Sequence, residues 1–234
     1  MSNAVYTHQK VAEGVYAIFH QHVRMFLMEG DDSALLFDTG NPGGELAHYI
    51  AQLTQKPIIV VLSHAHGDHI GAVSQFPFAY LHPADFQLLP ANGLGKYLPL
   101  SKGQGFELGN RFLEVLEIPG HTPGSIALLD SKNGLLFAGD TLQTGPIYMF
   151  MPTCSFERYI QSLNLLDSRR EEYREVYACH HQMPVTSALI ANLRTGAQKM
   201  LTNELQGEEV HPTPTRTMWL YRYLDVSFYG PPAK

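Results

Sequence analysis

The sequence predicts an α/β fold, and three observations carry that prediction. Apolar runs of strand length recur from Gly14 to Phe37, the segment 44–55 has helical spacing at Leu46, Ile50 and Leu53 with Pro57 beyond its end, and Ile58-Ile59-Val60-Val61-Leu62 follows at once. Strand, helix, strand in that order marks an α/β architecture. The chain has 234 residues, 44% of them hydrophobic, which is enough to bury a full core, and 1–234 is read as one domain.

Taken in order, Gly14 to Phe19, Arg24 to Met28 and Ala34 to Leu36-Phe37 read as strands, with a hairpin turn at Glu29-Gly30-Asp31-Asp32. Phe76 to Leu89 reads as a strand and a short helix, and 91–105, rich in glycine, as a surface loop forming a wall of a substrate pocket. Strand signals resume at Phe112 to Ile118, Ser125 to Leu129 and Leu135 to Ala138. Ser155 is placed to cap a helix carrying Phe156, Tyr159, Ile160, Leu163 and Leu166, and Val176-Tyr177-Ala178 is a short strand. A helix over 187–206 and a strand over 219–228 complete the reading, with Tyr221, Tyr223 and Phe228 as aromatic surface consistent with a homodimer. The segment 143–154 is the second expected pocket wall.

Composition narrows the partners. The formal charge is −6 and the 16 Lys and Arg residues are scattered, so there is no basic stripe for a nucleic-acid backbone. No apolar run reaches the roughly 20 residues that span a bilayer, and the polar N-terminus lacks a signal-peptide core, so a cytoplasmic protein acting on a small molecule is expected. The two cysteines, Cys154 and Cys179, cannot define a disulfide framework and fit a reducing compartment.

The chemistry concentrates in Ser63-His64-Ala65-His66-Gly67-Asp68-His69, directly after a buried strand. Protonated imidazoles this close would repel one another, and a divalent cation resolves the conflict. In an extended loop His64 and His66 converge on one metal while Asp68 and His69 point elsewhere, which suggests two metal positions. Three more metal-capable segments follow predicted strands: Pro119-Gly120-His121-Thr122-Pro123-Gly124, Ala138-Gly139-Asp140-Thr141 and Ala178-Cys179-His180-His181. Gly67 and Gly120 are read as permitting tight turns beside the metal, and Gly139 as allowing Asp140 a close approach.

This order of motifs, with Asp38-Thr39-Gly40 upstream, resembles the metallo-β-lactamase superfamily over about Val11 to Pro184. The resemblance implies a four-layer αββα sandwich of two mixed sheets with helices outside. It also implies that His64, His66 and His121 hold one metal, that Asp68, His69 and His180 hold the other, and that Asp140 bridges them. Zinc is the expected metal, with iron or manganese as alternatives, and two ions about 3.5–4 Å apart would lower the pKa of a shared water toward about 7. Asp68 and Asp140 are then the catalytic carboxylates. Asp38 either orients a ligand or simply forms the turn before Gly40. The family usually places glycine on both sides of the last histidine, whereas Cys179 and His181 flank His180 here; His181 is the alternative ligand, and Cys179 or His181 lines the pocket, reaches a metal or has a structural role nearby.

The function implied is a dinuclear hydrolase of the glyoxalase II-like branch, acting on a carbonyl, thioester or ester substrate. A lactonase or β-lactam hydrolase, a mononuclear iron persulfide dioxygenase and a non-catalytic metal-bearing module are the alternatives. The predicted C-terminal elements are not the long helical domain that binds glutathione in glyoxalase II. His8, His48, His82 and His211 have no neighbours that match a site motif and read as surface or packed residues; His20 and His22 follow a strand near the expected site. Tyr148, Phe150 and Tyr223 read as core.

Overall fold

The computed structural model describes residues 5–89, 96–101, 103–213 and 216–232. Its first sheet is a seven-stranded run in chain order, β1 (Thr7–Ala12), β2 (Val15–His20), β3 (Val23–Glu29), β4 (Ala34–Phe37), β5 (Ile58–Val61), β6 (Ala79–Leu81) and β7 (Tyr97–Pro99). The first four pair antiparallel through short turns, and β4 to β7 pair parallel. Parallel neighbours need a crossover, which α1 (Leu46–Leu53) supplies between β4 and β5. The four-residue helix α2 (Gly67–Ile70) follows β5. The second sheet contains β8 (Gly105–Glu107), β9 (Phe112–Glu117), β10 (Ile126–Asp130), β11 (Leu135–Phe137) and β13 (Glu175–Tyr177), in the spatial order β13-β11-β10-β9-β8.

Period-two alternation along these strands separates the core into three apolar layers. Phe26, Leu35, Phe37 and Val61 of the first sheet share a cluster with Val115, Leu128, Phe137 and Tyr177 of the second. Met25, Leu27, Leu36 and Val60 turn the other way, toward Leu46 and Ile50 of α1. Leu116, Ala127, Leu129 and Leu136 face the two long helices, α3 (Phe156–Ser168) and α4 (Leu189–Leu201), through Tyr159, Leu163, Leu166, Ile190 and Leu193. Helix, sheet, sheet, helix is the four-layer sandwich expected, and Ser155 caps α3 by accepting from the Arg158 amide.

Five readings need correction. The polar strand β1, whose first four residues are exposed, carries no hydrophobic alternation and was invisible to pattern reading. The helix expected over 187–206 ends at Leu201, and the expected strand over 219–228 is two strands with a turn at Leu224-Asp225. Together they form a third sheet, β14 (Gly207–Thr213), β15 (Arg216–Tyr223) and β16 (Val226–Gly230), whose far edge β12 (Ile147–Tyr148) pairs parallel with β16. Tyr221 and Phe228 are buried, and Tyr223 packs against the α3–α4 core, so these aromatic rings serve the interior and are not the exposed surface expected. The loop expected over 91–105 contains β7 and begins β8; residues 91–95 and 102 lie outside the described ones. No described helix is long and apolar enough to cross a membrane.

The inner layer depends on ring packing. Phe137 is fully buried, 5.2 Å from the ring of Phe26 and stacked 5.4 Å from that of Tyr177. Phe137→Ala removes both contacts and should cost about 3–5 kcal/mol of unfolding free energy. Urea denaturation measures it; a loss below about 1 kcal/mol would mean that the two sheets do not depend on this contact.

Candidate metal centre

The strands β4, β5, β9, β11 and β13 deliver their carboxyl ends to one edge of the sandwich. β4 and β5 are parallel, β11 and β13 are parallel, and β9 runs with β11 because each is antiparallel to β10. Their last residues lead into Asp38, Ser63 to His69, His121, Asp140 and His180. Backbone bonds stitch the two sheets together here: Ile126 donates to the Ser63 carbonyl at 2.9 Å, and Arg24 donates to the Cys179 carbonyl at 2.9 Å.

His64, His66 and His121 form the first metal-capable group. His66 Nδ1 lies 3.0 Å from both His64 Nε2 and His121 Nε2. Three nitrogens around a tetrahedral zinc at 2.0–2.1 Å would stand about 3.3 Å apart, so the donor atoms are already spaced for an ion. Asp68, His69 and His180 form the second group, with His180 Nε2 at 3.3 Å and His69 Nε2 at 3.7 Å from Asp68 Oδ2. Asp140 faces both. Its Oδ1 lies 3.4 Å from His69 Nε2 and 3.5 Å from His180 Nε2, while its Oδ2 lies 3.6 Å from His121 Nε2. Asp140 Oδ1 and His69 Nε2 are buried without hydrogen-bond partners, a costly state that a cation between them relieves. The donor set therefore fits divalent metal.

The opposite ring nitrogens are anchored. His69 Nδ1 is 2.7 Å from Asp38 Oδ2, His64 Nδ1 is 2.9 Å from Ser63 Oγ, His121 Nδ1 donates to the Tyr148 carbonyl at 2.8 Å, and His180 Nδ1 donates to the His22 carbonyl at 2.7 Å. Such partners fix ring orientation and tautomer. Both readings of Asp38 hold at once. It sits at φ 70° before Gly40, and its buried carboxylate orients His69 while accepting from the Ser63 amide and hydroxyl at 2.7 and 2.8 Å. Cys179 is buried beside this carboxylate, with Sγ 3.4 Å from Asp38 Oδ2, and burial together with Asp38 pushes its thiol pKa up. With Asp38 and His69 it forms a further buried group of metal-capable atoms, in which the raised pKa favours the neutral thiol.

The electrostatics divide along the same line. Burial, then the neighbouring imidazoles, pushes His64 well below its usual pKa and His66 to about 3; burial also lowers His121. Burial opposes charge on His69 and His180 too, but Asp140 with Asp38 or Asp68 outweighs it and raises both. Burial likewise works against ionised Asp68 and Asp140, and it is overcome by His180 and His69, which hold Asp68 at about 2 and Asp140 well below the carboxylate range. One group thus offers neutral nitrogens, and the other holds protons that a metal would replace.

Asp85 was not singled out in the sequence. Fully buried in a 3₁₀ turn after β6, it accepts from the Ala65 amide at 3.0 Å, from Thr122 Oγ1 at 2.8 Å and from the Gly124 amide at 2.6 Å. It clamps the loop of His64 and His66 to the loop of His121. Gly120 and Gly139 both require glycine: Gly120 at φ 150° leaves no room for a Cβ, which would stand 2.5 Å from the Tyr159 backbone, and Gly139 adopts φ 53° against Ser63. Gly67 does not; it begins α2, and a Cβ there would meet open space.

The cavity above these groups has a volume of about 850 Å³ and is walled by Gln143, Tyr148, Phe150 and Met151, with His22, His181 and Arg216. The wall expected over 143–154 is therefore present, whereas no described residue of 91–105 reaches the cavity. Tyr148 and Phe150, read as core, are wall residues. His181 lines the cavity at φ 56° while His180 occupies the ligand group. His20 is buried against Tyr6, at 4.7 Å between rings, and His8, His48, His82 and His211 lie outside the metal-capable groups.

Comparison with known proteins agrees with this geometry. The family model described as metallo-beta-lactamase superfamily matches residues 21–180. The acyl-coenzyme A thioesterase MBLAC2 of Homo sapiens is 24% identical over 203 residues, covering 66% of this chain and 73% of that protein. A hydroxyacylglutathione hydrolase of Xanthomonas axonopodis pv. citri is 32% identical over 171 residues, covering 70% of this chain and 62% of that one. Among solved structures, TTHA1623 in a di-iron-bound form superposes with a TM-score of 0.61 at 28% identity, covering 73% of this chain and 93% of that one. With overlapping groups of metal-capable side chains gathered at the strand ends and this family match over most of its length, the chain belongs to the metallo-beta-lactamase superfamily.

Proposed function

We propose that this metallo-hydrolase is a dinuclear thioester hydrolase. The observation that carries the dinuclear reading is the placement of Asp140, one oxygen toward each histidine group. The thioester preference is supported by two relatives named for thioester cleavage. The cavity also has the volume of a small-molecule site. His64, His66 and His121 would hold one ion and Asp68, His69 and His180 the other, with Asp140 common to both. Zinc suits these N and O donors, and a di-iron neighbour makes iron the alternative.

Bound there, a divalent pair supplies water activation at neutral pH and polarisation of the substrate carbonyl. The chain's own residues do the rest. Asp68 and Asp140 stay ionised to low pH and offset the cation charge, and Asp68, at the cavity and less buried than Asp140, is the carboxylate placed to accept a proton from attacking water, through the oxygen other than the Oδ2 turned toward His69 and His180. Asp38 keeps His69 Nε2 aimed inward by holding Nδ1. Tyr148, Phe150 and Met151 give the acyl chain an apolar wall.

The test is a panel of thioester, lactone, phosphodiester and β-lactam substrates with metal-loaded protein. Thioester cleavage that disappears in His66→Ala and with chelator is expected; one iron per chain with oxygen consumption on a persulfide would overturn the reading.

The pKa pattern sets a second expectation. His69, held well above its usual value, and His180, shifted in the same direction, keep their protons to higher pH in the metal-free protein and lose them as pH rises through the raised values; His64, His66 and His121, shifted down, lose theirs at lower pH. Titration calorimetry in buffers of different ionisation enthalpy should therefore show little proton release for the first equivalent of metal and clear release for the second, with second-site affinity rising with pH. Equal release for both contradicts the two-group division.

Asp85→Asn replaces one accepting oxygen with an NH₂ that faces a backbone N–H, that of Gly124 or that of Ala65, whichever way the amide turns. It should weaken metal binding about 10- to 100-fold, read by competition with a chelator, although residue 85 touches no ligand atom. Unchanged affinity would show that the clamp is dispensable.

A further inference from the structure

One cavity residue is unexplained by the metal chemistry. Among the described residues lining the cavity, Arg216 is the one Lys or Arg. It opens β15, in register with Thr213 across the β14–β15 hairpin, so it reaches the cavity from the third sheet and not from a metal-bearing loop. Its guanidinium carbon lies 5.2 Å from the ring centre of Phe150 and 5.9 Å from that of Tyr148, both of which line the same cavity. Among the described residues no carboxylate lies within ion-pair distance of it, whereas Arg169, Arg194 and Arg222 all have acidic partners.

A guanidinium placed against aromatic rings keeps its N–H donors for partners in its own plane. That fork matches the two oxygens of a carboxylate or phosphate, and the aromatic rings lower the mobility that binding would otherwise have to remove. The acidic groups of the cavity, Asp68 and Asp140, are engaged with the histidine groups and do not neutralise Arg216.

We propose that Arg216 is a specificity-determining residue that holds an anionic group of the substrate's thiol carrier, so that the preferred substrates are anionic thioesters whose chain crosses the Tyr148–Phe150 wall. This rests on the thioester reading for its substrate class but not for the anion site itself. Phosphate and carboxylate share the chemistry. Coenzyme A would present the first and glutathione the second.

The test uses butyl thioethers, which cannot be hydrolysed, of coenzyme A, glutathione and uncharged N-acetylcysteamine, binding to the metal-free full chain. Binding of the wild type, Arg216→Gln and Arg216→Lys is measured by calorimetry, with thermal melts to confirm folding. At least one charged thioether should bind the wild type about 10- to 100-fold more tightly than the neutral one, and Arg216→Gln should remove that preference while Arg216→Lys keeps part of it. The arm that discriminates identifies the source, phosphate for coenzyme A or carboxylate for glutathione. No preference in the wild type, or an equal loss for charged and neutral probes in Arg216→Gln, overturns the proposal. Butyryl thioesters of the same three carriers, given to metal-loaded wild type, test the other reading separately: failure to cleave any of them, with the binding preference intact, sinks the thioesterase assignment and leaves the anion site standing.

Discussion

The constraint on which this structure turns is electrostatic. Five imidazoles and two carboxylates meet at one edge of the sandwich, most of them buried, and no arrangement of protons alone satisfies them all. Protonating the His64–His66–His121 group would place like charges about 3 Å apart in a desolvated site. Leaving it neutral gives His66 Nδ1 one proton to share between His64 Nε2 and His121 Nε2, each 3.0 Å away, so the two acceptors compete for a single donor. A cation resolves both problems, so the cluster costs stability in the folded chain and is repaid by binding, the usual coupling of metal affinity to folding.

Supporting groups make that cost bearable because each addresses a separate degree of freedom. Asp38 sets the tilt of His69 through one carboxylate oxygen and the start of the Ser63–His69 loop through the other. Asp85 fixes the distance between the two loops that carry the first group. Two main-chain carbonyls, of Tyr148 and His22, hold His121 and His180. Both belong to segments remote in sequence, so the centre is tied to the fold at points far from its own motifs.

What the sequence revealed divides along the same lines. His64, His66, Asp68, His69, His121, Asp140 and His180 were legible because each lies on a short segment that follows an apolar run, and a strand followed by polar ligands is a local signal. Asp85 gave no such signal. It stands among ordinary turn residues, and its value comes from three donors contributed by loops 20 to 39 residues away. Tyr148 and Phe150 were misread for a related reason: aromatic residues in a short apolar stretch look like core, and only the approach of Arg216 and the opening beside Asp140 places them on a cavity wall. β1 was missed because an edge strand with exposed side chains has no period to detect.

The third sheet shows how wall and centre are joined. β12 is two residues long, too short to hold itself, and it persists because Ile147 and Tyr148 pair with Phe228 and Tyr229 of β16. Phe228 in turn is buried against Tyr159 of α3 and packs at Gly196 of α4. The Tyr148 carbonyl holds His121, and the Tyr148 ring lines the cavity beside Arg216. A single residue therefore transmits the position of the C-terminal sheet to a metal-capable histidine on one side and to the substrate wall on the other. Loosening β16 would disturb both together, so the distance from metal group to wall is set by backbone pairing in the third sheet and not by the loop sequences that carry the ligands.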